Sequence, residues 1–374
     1  MQLYVHLPFC SSRCRYCDFF STVGTLDGEI FRYIDAVAEE WALRCGGVAG
    51  PLDTIFIGGG TPSVLSVAQW EYFGERLLRL LPVDKETEWT TESNPDTFSD
   101  EKAVLLASLG INRITFGVQT LDNRIRKFAR RRGTAAAVET VLHSRSLDAF
   151  RSVGVDLIYG LPGQTAASFE ATLQTVLMIS TVKHLSAYEL SVADGTPFGN
   201  HRILLPLPSD DTLNDMVRIL QETALASGYE QYEVSNFAKA EYRCRHNIGY
   251  WNHEPYIGLG ASAHSYHNRI RSWNVADLQG YCSRIEHGEL PVEAREHIDT
   301  ATLAREILFL GLRQTSGIDE DRFFTMTGIP FTQWADRCTL ERMINEGLIE
   351  YLPPNWRPTR KGLLYADYCA RELF

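Results

Sequence analysis

Apolar and polar positions along most of the chain follow two alternating periods. Short apolar runs of the kind that form buried strands fall at 2–6, 53–57, 88–93, 113–118, 153–159 and 184–190. They alternate with longer stretches at 29–44, 66–81, 100–109, 134–147, 168–179 and 211–226, whose apolar residues recur every three or four positions and predict helices. Ser66 is placed to cap the second helix and Pro82 to stop it. Six strand–helix units in succession imply parallel strands joined by helical crossovers, hence an α/β sheet or barrel. From 299 the pattern changes: 301–312 and 331–346 read as amphipathic helices, and 347–352 with 357–362 as a short hairpin around Pro353-Pro354. That suggests a small, mostly helical, winged-helix-like domain. The expected division is a barrel over 1–235, a connecting region over 236–298 and this domain over 299–374.

Barrels of this kind place chemistry on the loops that follow their strands. The first such loop carries Cys10, Cys14 and Cys17, close enough to aim three sulfurs at one centre. Soft thiolates select zinc, copper(I) or an iron-sulfur cluster. A cubane held by three cysteines keeps one iron open, whereas structural zinc takes four ligands, and His6 or Asp18 would complete that set. The second loop, Gly58-Gly59-Gly60-Thr61-Pro62-Ser63, is either a tight turn or a place where a ligand meets bare backbone. Glu92, Gln119 and Asp156 interrupt apolar strands. Taken singly, each reads equally as a satisfied polar group. At corresponding positions of one barrel they suit a ligand rich in hydrogen-bond donors. Arg130, Arg131 and Arg132 form the densest basic run, a solvated face or a bidentate anion site.

The remaining composition narrows the setting. A chain of 374 residues, 44% hydrophobic, can bury a large core, and a net charge of -11 argues against a nucleic-acid or anionic-membrane surface. Eight irregularly spaced cysteines do not form a disulfide framework, and no cleavable apolar leader is read ahead of Tyr4, so a reducing cytoplasm is expected. Cys45, Cys244, Cys282, Cys338 and Cys369 read as ordinary buried thiols. No run approaches the roughly 20 apolar residues of a spanning helix, which leaves at most peripheral membrane association. A homodimer stays open.

The motif Cys10-x-x-x-Cys14-x-x-Cys17, with Tyr16 before the last cysteine, resembles the cluster loop of the radical S-adenosylmethionine (SAM) enzymes. The frame Tyr4-x-His6-x-Pro8-Phe9-Cys10 is similar to the oxygen-independent coproporphyrinogen III oxidase branch, and Asp18-Phe19 resembles its haem-chaperone sub-branch. The oxidases carry a further cysteine at the place of Phe19. The resemblance implies a partial (β/α)6 barrel and a 4Fe-4S cluster on the three cysteines. It also implies SAM contacts from Tyr4, Tyr16, Gly59, Gly60, Thr61, Glu92, Gln119, Arg131 and Asp156. Relatives often read Gly-Arg-x-His where this chain has Arg130-Arg131-Arg132-Gly133, so Arg131 keeps its place and the histidine is missing. His246-Asn247-x-x-Tyr250-Trp251 resembles the sub-branch's haem-binding motif, which implies His246 as an axial ligand, with His264 a further histidine in the same aromatic stretch. The implied function is to bind haem and pass it to recipient haem proteins. The alternative is SAM-dependent decarboxylation of coproporphyrinogen in porphyrin biosynthesis.

Overall fold

The computed structural model describes residues 1–44 and 50–373, so Cys45 lies outside the described residues. Strands β1 (Gln2–Leu7), β2 (Thr54–Gly59), β3 (Glu88–Ser93), β4 (Arg113–Gln119), β5 (Ser152–Tyr159) and β6 (Val182–Glu189) pair in parallel in that order. The crossovers carry α1 (Asp27–Arg44), α2 (Val67–Arg76), α3 (Asp100–Ser108), α4 (Asn123–Phe128), α5 (Ala135–Leu142) and α6 (Ala166–Leu177), and α7 (Asp210–Ala226) follows β6. Ser66 caps α2 as expected, accepting from the Gln69 N–H at 3.2 Å while the Gln69 side chain accepts from the Ser66 N–H. The helix stops at Arg76, five residues early, and Leu78–Leu80 tightens into a 3-10 turn.

Successive side chains of a strand face opposite sides, and the two sides here differ in character. Leu3, Val5, Ile55, Ile57, Ile114, Phe116, Val153 and Val155 join the core beneath the helices. Their neighbours Gln2, Tyr4, His6, Thr54, Glu88, Glu92, Arg113 and Asp156 turn the other way, toward the inside of the curled sheet. The interior is therefore polar, and polar residues inside apolar strands mark it.

The sheet does not end with the six units. Beyond β6 come β7 (Glu230–Gln231) and β8 (Asn236–Ala238); β8 pairs antiparallel with β6, and β7 pairs antiparallel with β8 at the sheet's edge. Helix α8 (Arg245–Trp251) then leads to β9 (Tyr256–Leu259), which pairs in parallel with the free edge of β1. Three antiparallel strands follow, β10 (His264–His267), β11 (Ile270–Asn274) and β12 (Val292–His297), with α9 (Leu278–Glu286) before the last. Among the described residues this makes one twelve-stranded sheet. The region expected to be a connection over 236–298 is thus built into the barrel sheet, and its Leu259, Val275, Tyr281 and Ile285 belong to the main core.

The last part has a core of its own, including Leu308, Phe323, Phe331, Met343 and Ile349. It comprises α10 (Thr300–Gly311), α11 (Glu320–Thr327), further short helices and a three-stranded sheet of β13 (Ile318–Asp319), β14 (Ile349–Leu352) and β15 (Asn355–Pro358), a winged-helix-like arrangement. The single helix expected over 331–346 is broken into Phe331–Trp334 and Arg337–Asn345, because Asp336 accepts from the Thr339 N–H at 2.8 Å and starts a new helix. Cys244, Cys282 and Cys369 are buried as expected, whereas Cys338 is exposed. No helix among the described residues is long and apolar enough to cross a membrane.

Candidate functional site

The cysteine loop leaves the C-terminal end of β1 and is held at several points. The two-residue strands Phe9–Cys10 and Thr22–Val23 pair at its base, and the Arg15 N–H donates to the Ala129 carbonyl at 3.1 Å. The Phe198 N–H in turn donates to the Arg15 carbonyl at 3.0 Å. All three cysteines are half-buried. Cys10 Sγ lies 3.6 Å from Thr61 Oγ1, and Arg131 Nη1 reaches Cys14 Sγ at 3.7 Å. Burial raises the thiol pKa of Cys10 and of Cys17, so these sulfurs hold their protons until a metal replaces them. Among the described residues no three His, Cys, Asp or Glu side chains close to the spacing of a single metal ion. A cubane spreads its cysteines over separate irons, and three half-buried thiols on one loop beside an arginine fit that group.

The glycine turn after β2 packs directly against this loop. A Cβ on Gly60 would stand 2.7 Å from the Phe9 carbonyl oxygen, and one on Gly59, at φ +107°, would stand 2.5 Å from the His6 ring. The Thr61 N–H donates to the Phe9 carbonyl at 2.8 Å. Gly58 faces the Glu92 carboxyl, 2.9 Å from where its Cβ would be. Only glycine permits these approaches.

Arg131 is set by residues that the sequence reading missed. Asn94 donates to Thr61 Oγ1 at 3.0 Å and accepts from Arg131 Nη2 at 2.5 Å, and the same nitrogen reaches the Gly117 carbonyl. Buried Arg126 donates to the carbonyls of Val118, Thr120, Arg132 and Gly133 and shapes the turn that presents Arg131. Arg131 turns inward while Arg130 and Arg132 are exposed, so the basic run divides between site and surface. An arginine between two short loops was the one available signal for Arg126; Asn94 follows Glu92 by two and had none beyond the turn Asn94-Pro95.

Two carboxyls meet at the mouth. Burial, with the nearby Asp156 charge, pushes Glu92 up to about 8, opposed by the Gly59 N–H, which donates to Glu92 Oε2 at 3.2 Å. Burial raises Asp156 to about 6 against a hydrogen bond with Ser186 and the field of Arg131. Gln119 ends β4 at φ +68° beside an irregularity in the β4–β5 pairing. Tyr16 stacks obliquely near Phe198 at 6.5 Å, and deeper in the barrel Tyr4 hydrogen-bonds His6 Nδ1 at 3.0 Å and stacks on Phe56. The three cysteines, Tyr16, Gly59 to Thr61, Glu92, Gln119, Arg131 and Asp156 therefore surround one opening.

His246 is not among them. Helix α8 lies across the starts of the strands, at the opposite end of the barrel, where the His246 N–H donates to Glu88 Oε1 at 3.1 Å. Its Nδ1 is 2.7 Å from Thr54 Oγ1, its Nε2 is 3.0 Å from the Tyr250 hydroxyl, and the ring stacks on Phe56 at 5.2 Å. It is 1% exposed, and burial lowers its pKa to about 3. With both ring nitrogens engaged, the residue expected as an axial haem ligand is in this structure a satisfied interior group. Of the aromatic residues of its motif, Tyr250 holds His246 and also lines the cavity described next.

A separate cavity of about 820 Å³ opens between the cysteine loop, β9, β10 and α10. Phe19, at the place of the oxidases' further cysteine, lines it.

A curled parallel sheet with three cysteines after its first strand and a glycine turn over buried acids defines a radical SAM protein. Residues 4–176 match the Radical SAM superfamily, which implies a 4Fe-4S cluster and SAM, and residues 298–365 match the HemN C-terminal domain. The fold is shared with coproporphyrinogen III oxidase (HemN) from Escherichia coli, at a TM-score of 0.86 and 22% identity over 100% of this chain and 89% of that one. Heme chaperone HemW of Bacillus subtilis is 36% identical over 86% of this chain and 85% of its own length. Heme chaperone HemW of Lactococcus lactis is 35% identical over 97% of this chain and 90% of its own. The chain belongs to the HemW family.

Proposed function

We propose that this protein is a radical SAM haem chaperone, which binds haem and delivers it to recipient haem proteins. The observation that carries the reading is the pairing of the barrel mouth with the aromatic cavity that Phe19 lines. HemW relatives matched over most of their length support the same reading. In this reading Cys10, Cys14 and Cys17 hold a 4Fe-4S cluster. The cluster and SAM, when bound, supply one-electron chemistry. The chain's own residues do the rest. Glu92, raised to about 8, loses its proton to accept the SAM ammonium, while Arg131 offers a fixed guanidinium to the carboxylate. Asp156 and Gln119 accept from the ribose hydroxyls, Gly59 to Thr61 give backbone contacts, and Tyr4 and Tyr16 complete the walls. The proposed location is the cytoplasm, with membrane association at most peripheral and a homodimer left open.

The test compares two substrates. Protein reconstituted without oxygen is given haem in one sample, and coproporphyrinogen, SAM and an electron donor in another. The expected outcome is a shifted haem absorption band and no sustained decarboxylation. Multiple-turnover formation of protoporphyrinogen would replace the chaperone with the oxidase.

A further inference from the structure

The cavity beside the cysteine loop contains a histidine that nothing in the protein uses. Its volume of about 820 Å³ lies within the range of ~300–1,000 Å³ usual for sites of small ligands and cofactors. Phe19, Phe20, Tyr250, Tyr256, Tyr266 and Phe309 give it aromatic walls, which suit a flat conjugated ring. Three histidines line it, and two are committed elsewhere. His6 Nδ1 meets the Tyr4 hydroxyl and His6 Nε2 meets the Phe20 carbonyl, each at 3.0 Å. His253 Nε2 is 2.5 Å from Glu306 Oε2, and its buried ring meets Tyr266 edge-on at 4.4 Å. The third, His264, is exposed, and its ring makes no hydrogen bond among the described residues. It stacks on Trp273 at 5.8 Å and 25°, which orients the ring without occupying either nitrogen.

We propose that haem is seated in this cavity with the imidazole of His264 as an axial ligand to its iron; the assignment rests on the chaperone reading above. A coordinating imidazole must carry a free lone pair. Burial and the charge of Arg271 lower the His264 pKa, so the ring is neutral at physiological pH. The wall also sets the orientation of the ligand. Arg271, its one guanidinium, donates to Glu306 at 2.6 and 2.7 Å and to Glu296 at 3.1 Å, while Asp18 and Glu254 add negative charge. Two propionates facing inward would meet acidic groups whose only cationic neighbour is already clasped. The macrocycle therefore enters with its apolar edge first and leaves the propionates in solvent.

The experiment is a haem titration of the cluster-reconstituted full-length protein, read by absorption and by the resonance of ferric haem. His264→Ala should weaken binding tenfold or more and change the ligand signature, and added imidazole should restore that signature. His246→Ala, compared at equal cluster content, should keep the wild-type signature. Wild-type spectra and affinity in His264→Ala would overturn the His264 assignment while leaving the chaperone reading intact. A changed His264→Ala spectrum that imidazole does not restore would also overturn it. Absence of haem binding by the wild type would remove both.

Discussion

The barrel mouth and the aromatic cavity both adjoin the cysteine loop, the cavity lined in part by Tyr4 and His6 of β1, and they solve their electrostatics in opposite ways. At the mouth, Glu92 and Asp156 are buried together and raised to about 8 and 6, with Arg131 committed to Asn94, Gly117 and Cys14. In the cavity, Arg271 of β11, Glu306 of α10 and His253 in the turn after α8 already satisfy one another. Buried acids that lose their protons to an incoming cation form a receptor for it, whereas a self-paired wall with aromatic faces favours a flat ligand. The difference teaches that the two sites need different partners although they share a strand.

The largest effect expected is on the first site. Replacing Cys10, Cys14 and Cys17 together with Ala should remove the brown chromophore, with iron and sulfide falling to background by analysis. Full iron and sulfide content in that variant would dissolve the distinction between the sites at its root.

Next, Glu92→Ala should weaken SAM binding by about 1.5–3 kcal/mol, roughly ten- to a hundredfold, with cluster content unchanged. Titration calorimetry checks it. The pH dependence sharpens the contrast. A carboxyl whose folded pKa is raised binds more protons in the native state than when unfolded, so ligand-free stability should fall as pH rises from about 4.5 toward 8. SAM affinity should rise over the upper part of that window, because the cation binds the deprotonated form. Melting temperatures at pH 6 and pH 8, with and without SAM, read both signs, and identical slopes in Glu92→Gln would show that another group is responsible.

His246→Ala should act on stability, lowering it by about 2 kcal/mol through two lost buried hydrogen bonds and a ring contact, as read by urea denaturation. A stable variant with lost haem binding would restore His246 to the cavity's account. The smallest effect belongs to Glu306→Gln, which loosens the bonds to His253 and Arg271 and should cost about 1 kcal/mol. Burial alone would raise the Glu306 pKa, but hydrogen bonds from His253 and Arg271 hold it below the usual carboxylate range. The stability it lends is therefore present above the unfolded carboxylate pKa and lost as pH falls through the folded one. Equal acid sensitivity in Glu306→Gln would show that the pair contributes nothing.

Much of this was legible in order along the chain. The six strand–helix units, Ser66 as a cap and the cysteine loop and glycine turn after β1 and β2 rest on spacings of a few residues, and local spacing sets hydrogen-bond and side-chain geometry directly. The polar positions Glu92, Gln119 and Asp156 were equally visible, because an interior-facing polar residue breaks an apolar strand wherever the strand is placed. Other features depended on partners far away in sequence. Arg131 is distinguished from Arg130 and Arg132 only by Asn94, 37 positions earlier, and by the buried scaffold of Arg126. His246 and His264 both sit among aromatics and glycines, and the local pattern favoured His246, whose motif says nothing of which ring nitrogens are already engaged. Thr54, 192 residues away, closes one nitrogen of His246, whereas Trp273 only orients His264 from across a hairpin. Residues and their spacing determined which chemistry was present; the path of the chain decided which side chains were already satisfied, since a hydrogen bond is made only where distant backbone brings a partner within reach.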